Sequence, residues 1–210
     1  MPRILITSGP TRQFLDPVRY LTNASSGRMG RALAEAALAL GHDVVVVSGP
    51  VEIDYPAEAK VVPVVSTEEM LAAAADVFAD CDGLIGAAAP CDYRPVRIES
   101  HKIAKTGQPV DLHLIETDDV VATLGARKEH RWVVGFALET DDHRLRALAK
   151  LERKHCDLIV SNGPQAIGSL ENQVEVLAPD GSILASLRGT KEGVADGILA
   201  IIDKRLIRSS

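Results

Sequence analysis

The sequence has no apolar run long enough to cross a bilayer. The longest, such as Val44–Val47 and Leu71–Ala75, stop far short of the roughly 20 residues a spanning helix needs. No basic segment followed by an apolar stretch opens the chain, because Met1–Thr7 already reads as a strand. Cysteine is scarce: Cys81, Cys91 and Cys156 have no CxxC spacing, which excludes a disulfide framework and a zinc site. Excess positive charge is also missing. With 23 basic and 29 acidic side chains the formal charge is −6, which argues against nucleic-acid binding driven by net charge. What remains, 210 residues of which 46% are apolar and 25% charged, is an ordinary globular composition that buries a core without staples. The expectation is a cytoplasmic protein, one domain over residues 1–210, with no membrane or nucleic-acid partner.

Apolar runs alternate with helical patterns in the first half. Arg3–Thr7 is a β-branched strand, followed by the turn Ser8-Gly9-Pro10. Arg12–Ser26 is polar and irregular, and a helix is predicted from about Gly27 to Leu40, with Gly41 as its C-terminal glycine. Asp43–Ser48 is a continuous apolar strand of the kind buried on both faces of a parallel sheet. A strand at Lys60–Val65, a helix at Thr67–Ala79 opened by the capping pair Ser66 and Glu69, and a strand at Gly83–Ala87 follow. This rhythm predicts a Rossmann-like, doubly wound, mostly parallel α/β sheet.

The second half is less regular. Pro90–Gln108 is a polar segment longer than a compact domain usually carries without a purpose. Strands are predicted at Asp111–Leu114, Arg131–Phe136 and Asp157–Val160, and helices at Asp118–Ala126 and Glu139–Lys154. Glu175–Leu177 and Ile183–Leu187 form a C-terminal antiparallel hairpin, and Thr190–Leu206 a closing helix.

Ligands of open parallel sheets bind beyond the carboxyl ends of the strands, so chemistry is sought in the segments after them. Within Thr22–Gly30, Ser25 and Ser26 can cap the helix, and Gly27 and Gly30 allow close backbone approach. That is an anion site or simply a tightly packed capped helix. After the fourth strand, Gly86-Ala87-Ala88 leave room for a flat ring and Asp92 supplies an acceptor, although such residues also occur where helices pack closely. Lys102 and Lys105 lie in a polar loop able to close over phosphates, or merely solvated. Lys150 and Lys154, four apart on a helix, share a face and repel unless an anion lies between them; snorkelling surface lysines are the plainer reading. The six histidines have no metal spacing, Cys91 has no base placed beside it, and the loop before the first helix is not GxGxxG.

Together these segments resemble the phosphopantothenoylcysteine synthetases. The likeness runs through Ile6–Arg12, Asp16–Gly30, Val47–Pro50, Ala87–Arg94, His101–Ile103 and Val134–Thr140, ordered as in that family. It implies a ligase of coenzyme A biosynthesis that joins 4′-phosphopantothenate to L-cysteine through an acyl-nucleotidylate made from CTP or ATP. Mg²⁺ (or Mn²⁺) would be bound through the triphosphate, with no dedicated protein metal site. It further implies a homodimer whose active site is completed across the subunit interface, and a free-standing form without the flavin-dependent decarboxylase, hence no flavin.

The resemblance also assigns roles. Gly86, Ala87, Ala88 and Phe136 would flank the base, with Asp92 and the stretch Asp118, Asp119, Val120, Val121 close to the nucleotide. Lys102, Lys150 and Lys154 would act on the triphosphate, and Asn23, with Arg19, Ser26 and Gly27 in the same motif, on the acyl substrate. Asn23 and Lys102 are the expected catalytic pair. Two features depart from the family pattern: Ala104 interrupts the basic loop, and Pro90-Cys91 replace a small pair before Asp92-Tyr93-Arg94. Both bear on nucleotide preference. Two other functions share the fold, a non-catalytic nucleotide-binding or regulatory protein and an NAD(P)-dependent reductase. The first is opposed by Asn23, Lys102, Lys150 and Lys154 occurring together, the second by the missing GxGxxG and Tyr-x-x-x-Lys.

Overall fold

The computed structural model describes residues 1–138, 143–162 and 172–208. Its strands are β1 (Arg3–Ser8), β2 (Arg12–Phe14), β3 (Tyr20–Thr22), β4 (Asp43–Ser48), β5 (Lys60–Pro63), β6 (Gly83–Gly86), β7 (Tyr93–Pro95), β8 (Leu114–Glu116), β9 (Trp132–Leu138), β10 (Leu158–Asn162), β11 (Asn172–Leu177) and β12 (Ile183–Gly189). The helices are α1 (Arg28–Ala39), α2 (Thr67–Phe78), α3 (Val120–Gly125), α4 (His143–Arg153) and α5 (Lys191–Ile202), which runs into a π-helical turn, Asp203–Ile207. The expected helix Glu139–Lys154 is described from His143 onward; residues 139–142 lie outside the described part, as do residues 163–171.

Eight strands form one sheet in the order β12-β11-β10-β9-β6-β1-β4-β5. From β5 to β10 every pairing is parallel, while β11 and β12 add an antiparallel edge. The alternation of strand residues explains the two layers. Ile4 and Ile6 of β1, Val44 and Val46 of β4 and Val134 of β9 meet α1 and α5 on one face. Leu5, Val47, Leu84, Val133 and Ile159 meet Met70, Ala74 and Phe78 of α2, Leu124 of α3 and Leu151 of α4 on the other. Ile4, Leu5 and Ile6 are wholly buried, so both faces of the central strand are covered, as a parallel sheet requires.

The helix ends follow local chemistry. After α1, Gly41 N–H bonds Leu38 O at 2.9 Å and His42 N–H bonds Ala37 O at 3.1 Å, with Gly41 at φ 83°, a Schellman ending. Ser66 Oγ accepts from Glu69 N–H at 3.1 Å, and the Glu69 carboxylate reaches back to Val65 N–H at 2.7 Å, one residue further than a standard capping box. Thr190 and Asp119 cap α5 and α3 through Gly193 N–H and Ala122 N–H.

Four segments differ from the sequence reading. The stretch Arg12–Ser26 contains the hairpin of β2 and β3, which pair from Arg12 with Thr22 to Phe14 with Tyr20. Its packing is aromatic: Tyr20 stacks edge-on to Phe14 and under the Arg12 guanidinium. Pro90–Gln108 contains β7, whose partner β8 lies at Leu114–Glu116 rather than at Asp111–Leu114. Strand β5 stops at Pro63 rather than Val65, and the Val65 carbonyl accepts from Arg12 N–H at 2.8 Å. The closing helix shifts to π geometry at Asp203 instead of running regularly to Leu206.

Candidate active site at the topological switch point

The chain winds outward in opposite directions from β1 and β6, which lie side by side. The crevice beyond their carboxyl ends is where a doubly wound sheet binds ligands. Here Ser8-Gly9-Pro10 leaves β1 and Ala87–Asp92 leaves β6. The two exits remain joined, Ala87 N–H to Thr7 O at 3.1 Å and Ala89 N–H to Gly9 O at 2.9 Å.

Between them opens a recess of about 100 Å³, lined by Thr7, Gly86, Ala88, Pro90, Asp92, Thr117, Asp118, Asp119, Val120, Val121, Phe136 and Lys154. Whole-ligand pockets usually measure roughly 300–1,000 Å³, so this one admits a single ring, with the rest of a ligand running along the open edge. Gly86 is required by close approach: a Cβ there would collide with Val121 Cγ2. Lys154 Nζ lies 3.0 Å from Asp119 Oδ2 on the recess wall. Burial pushes the Asp119 carboxyl up, but the Lys154 charge and the Ala122 N–H outweigh it and hold the group below its ordinary range. Lys154 therefore meets its carboxylate partner where an anionic ligand would compete for it.

The loop that carries Asp92 is clamped from four sides. Cys91 N–H donates to Thr11 Oγ1 at 2.8 Å, and Cys91 O accepts from Thr67 Oγ1 at 3.1 Å and Thr117 Oγ1 at 2.7 Å. Thr11 and Thr67 are themselves bonded at 2.8 Å. Asn23 Nδ2 donates to Pro90 O at 2.8 Å and Ala89 O at 3.3 Å, so the asparagine holds the backbone bordering the recess. Cys91 is buried within this clamp.

Of the residues singled out from sequence, Gly86, Ala88, Asp92, Asp118, Asp119, Val120, Val121, Phe136 and Lys154 all line the recess. Ala87 bridges to β1 through its backbone. Lys150 lies on α4, one turn before Lys154 at the end of that helix, and is not part of the lining. Ser26 and Gly27 stand at the start of α1, but neither Ser25 nor Ser26 caps it. The N-cap is Gly27 at φ 73°, without a side-chain cap, because the chain turns left-handed there. Gly30 lets α1 approach β1 so closely that a Cβ would overlap Ser8 Oγ.

Arg19 and Lys102 sit elsewhere, on an arm built from the β2–β3 hairpin and the segment after β7. Buried Asp16 fastens it. Its Oδ1 accepts from Val18 and Arg19 N–H, both at 2.8 Å, and its Oδ2 from Arg19 Nη1 at 2.9 Å and Ile103 N–H at 3.0 Å. Arg19 Nη1 also donates to Ile103 O at 3.0 Å. Burial raises the Asp16 carboxyl, yet these backbone donors and the Arg19 charge leave it below its usual value. The neighbour of Lys102 is thus pinned on both sides, beside a cavity of about 480 Å³ lined by Leu15, Arg19, Ile103 and Leu112 among others. Thr7, Thr11, Thr67, Thr117 and Asp16 were not foreseen. Only Asp16 carried a signal, as the Asp-Pro that opens a turn. Among the described residues no group of three His, Cys, Asp or Glu side chains converges as a metal site, and no helix is long and apolar enough to cross a membrane.

Residues 2–206 match the family model described as DNA/pantothenate metabolism flavoprotein C-terminal domain. The chain is 42% identical over 185 residues to the coenzyme A biosynthesis bifunctional protein CoaBC of Vibrio vulnificus (strain YJ016), covering 85% of this chain and 46% of that protein. It is 38% identical over 205 residues to the protein of the same name from Haemophilus influenzae, covering 96% of this chain and 51% of that one. The chain therefore spans about half the length of these relatives. A crystal structure of the C-terminal domain of CoaBC superposes with TM-score 0.84 at 38% identity, covering 98% of this chain and 95% of that domain. The chain belongs to the DNA/pantothenate metabolism flavoprotein C-terminal domain family, and its Rossmann-like fold is that of the CoaBC C-terminal domain.

Proposed function

We propose that this chain is the phosphopantothenoylcysteine synthetase of coenzyme A biosynthesis, joining 4′-phosphopantothenate to L-cysteine at the expense of CTP or ATP. The observation that carries the reading is the switch-point recess. Its small-residue wall, Gly86 and Ala88, faces Lys154 and Asp119, and Asn23 is fastened to the same loop. The base enters beside Gly86, Ala88 and Phe136, and the phosphates leave along the open edge toward Lys154.

In the first step a carboxylate oxygen of phosphopantothenate attacks the α-phosphorus, and the bond to pyrophosphate breaks. In the second the cysteine amine attacks the acyl carbon, the nucleoside monophosphate leaves and the amine loses a proton. The mixed anhydride is needed because a carboxylate has no adequate leaving group. Fixed cations offset the repulsion between carboxylate and triphosphate, most strongly as charge moves in the transition state. Lys154 exchanges Asp119 for phosphate oxygens, and Asn23 presents its amide to the acyl-nucleotidylate. Mg²⁺ (or Mn²⁺) would arrive on the phosphates and neutralise their charge, with Asp92 and Asp118 at the rim as the available carboxylates.

Arg19 and Lys102 do not line the recess of their own chain, which supports a homodimer in which the arm of one protomer serves the recess of the other. The arm exposes Val96, Ile98, Val110 and Leu112, between 44% and 61% accessible, an apolar surface suited to a second copy. Pyrophosphate release in the presence of phosphopantothenate, compared for CTP and ATP and with and without cysteine, tests the reading. Release that requires phosphopantothenate, followed by amide formation only when cysteine is added, supports it; triphosphate hydrolysis indifferent to phosphopantothenate refutes it.

A further inference from the structure

The first turn of α2 touches both the recess loop and the arm. Ser66 caps the helix. Thr67 is buried behind it, donates to Cys91 O and pairs with Thr11 Oγ1, and so holds the loop that borders the recess. Glu68, the next residue, reaches the arm instead. Its Oε2 accepts from Gln13 Nε2 of β2 at 2.9 Å, and its Oε1 meets Arg94 Nε of β7 at 3.1 Å. Just before the cap, Val65 O accepts from Arg12 N–H at 2.8 Å. Strands β2 and β7 pack against each other, so one carboxylate spans the two strands from which the arm springs.

The helix is a firm base for that grip. Met70, Ala74 and Phe78 fix α2 in the core beneath Leu5 and Val47 of β1 and β4. Of the two contacts, the one to Gln13 matters more. Gln13 is 5% exposed, and a hydrogen bond from a buried donor to an ionised acceptor is a strong one. The Arg94 and Glu68 side chains are 41% and 47% exposed, and ion pairs so accessible contribute little. Burial pushes the Glu68 carboxyl up, but the Gln13 amide, its own backbone N–H, the Ser66 hydroxyl and the Arg94 charge hold it below its ordinary range. A carboxylate in a first helical turn also favours the positive end of the dipole, and Glu69 sits there as well. That role needs no partner on the arm, whereas Glu68 has two.

We propose that Glu68 is the positioning residue that seats the arm: gripping Gln13 and Arg94 at once, it fixes the direction in which Arg19 and Lys102 are carried toward the reacting phosphates. The proposal rests on the ligase reading above, in which those two side chains serve a recess that they do not line in their own protomer. Adjacent residues then have separate tasks, Thr67 for the recess loop and Glu68 for the arm. Losing Glu68 should therefore lower kcat and leave the KM for triphosphate alone.

Hydrogen exchange and steady-state kinetics on the whole chain test this. In Glu68→Ala the Arg12 amide, whose acceptor lies on the α2 side of the joint, should exchange about tenfold faster, the effect of losing one hydrogen bond to a charged acceptor. The Cys91 amide, held by Thr11, should keep its rate. The kcat should fall about tenfold as well, less than the loss expected on removing Lys102 itself, with the KM for triphosphate within twofold of the parent. Gln13→Met keeps the buried volume, removes the donor and leaves Glu68 at the helix start. It should reproduce both changes, and it decides the matter if Glu68→Ala does not fold. Glu68→Gln, whose amide oxygen still accepts from Gln13, should recover most of the loss. Arg12 exchange and kcat within twofold of the parent in the folded variants overturn the proposal. So does a loss confined to the Glu68 variants with Gln13→Met normal, or a Glu68→Gln no better than Glu68→Ala. Absence of any triphosphate-dependent ligation in the parent instead overturns the ligase reading, and the Arg12 exchange rates then still decide whether Glu68 seats the arm.

Discussion

Replacing Lys154 by Gln separates a structural from a functional lysine. The Lys154 side chain is 17% exposed and its partner Asp119 36%, and ion pairs this accessible contribute at most about 1 kcal/mol. Gln keeps a donor within reach of Asp119 Oδ2, and the α3 cap made by Asp119 Oδ1 to Ala122 N–H is untouched. The stability loss should therefore stay near 1 kcal/mol, a Tm decrease of roughly 2–4 °C for a chain of this size. Removing a fixed charge that acts on the transition state costs a rate factor of about 10²–10³. The two magnitudes differ enough to decide the role. Differential scanning fluorimetry and pyrophosphate release over a range of triphosphate concentrations should give a nearly intact fold and kcat/KM reduced at least a hundredfold. Asp119→Asn is the control, because it keeps the cap and frees Lys154, and it should not raise the KM for triphosphate. Turnover of Lys154→Gln within twofold of the parent, or a Tm loss beyond about 10 °C, refutes the reasoning.

Lys102→Gln should lose turnover by about 10²–10³ with little change in Tm, since Lys102 is an exposed loop residue; near-normal turnover at saturating triphosphate would show that the arm does not reach the nucleotide. Asp16→Asn should mimic that loss in part by releasing Ile103, lowering kcat more than it raises KM, and an unchanged kcat would remove Asp16 as a positioning residue. Asn23→Asp should retain pyrophosphate release better than amide formation, and equal loss of both would deny Asn23 its role on the intermediate. His42 is buried, and neither ring nitrogen is hydrogen-bonded among the described residues. Burial lowers its pKa below the ordinary 6.5, and Arg208 and the chain amino group reinforce this against Asp203. Its neutral form is thus favoured on folding, so the stability it supports is full above pH 6.5 and lost as pH falls below. The Tm should drop between pH 7 and 5 in the parent and less in His42→Leu; parallel profiles would contradict this.

Much of the fold was legible because parallel strands buried on both faces write themselves as unbroken runs. Asp43–Ser48 matches its predicted bounds, and Gly41 marks the end of α1 as expected. The β2–β3 hairpin and the β7–β8 pair were not legible, because strands of three residues show no period and are held by Arg12 over Tyr20 and by Arg94 of β7 paired with the distant Glu68. The recess was largely legible through its small residues and Lys154 just after α4. Its threonine clamp was not. Thr11, Thr67 and Thr117 lie tens of residues apart and acquire a common purpose only when Cys91 passes between them. Spacing likewise gave no hint that Lys102 and Arg19 belong to an arm fastened by Asp16 and away from the recess.

The central claim, activation of a carboxylate by nucleotidyl transfer in the switch-point recess, is tested most directly by isotope exchange between labelled pyrophosphate and the nucleoside triphosphate. The account predicts exchange that needs phosphopantothenate, proceeds without cysteine, and falls at least a hundredfold in Lys154→Gln. Exchange that proceeds without phosphopantothenate, or no exchange under conditions where the amide forms, would contradict it.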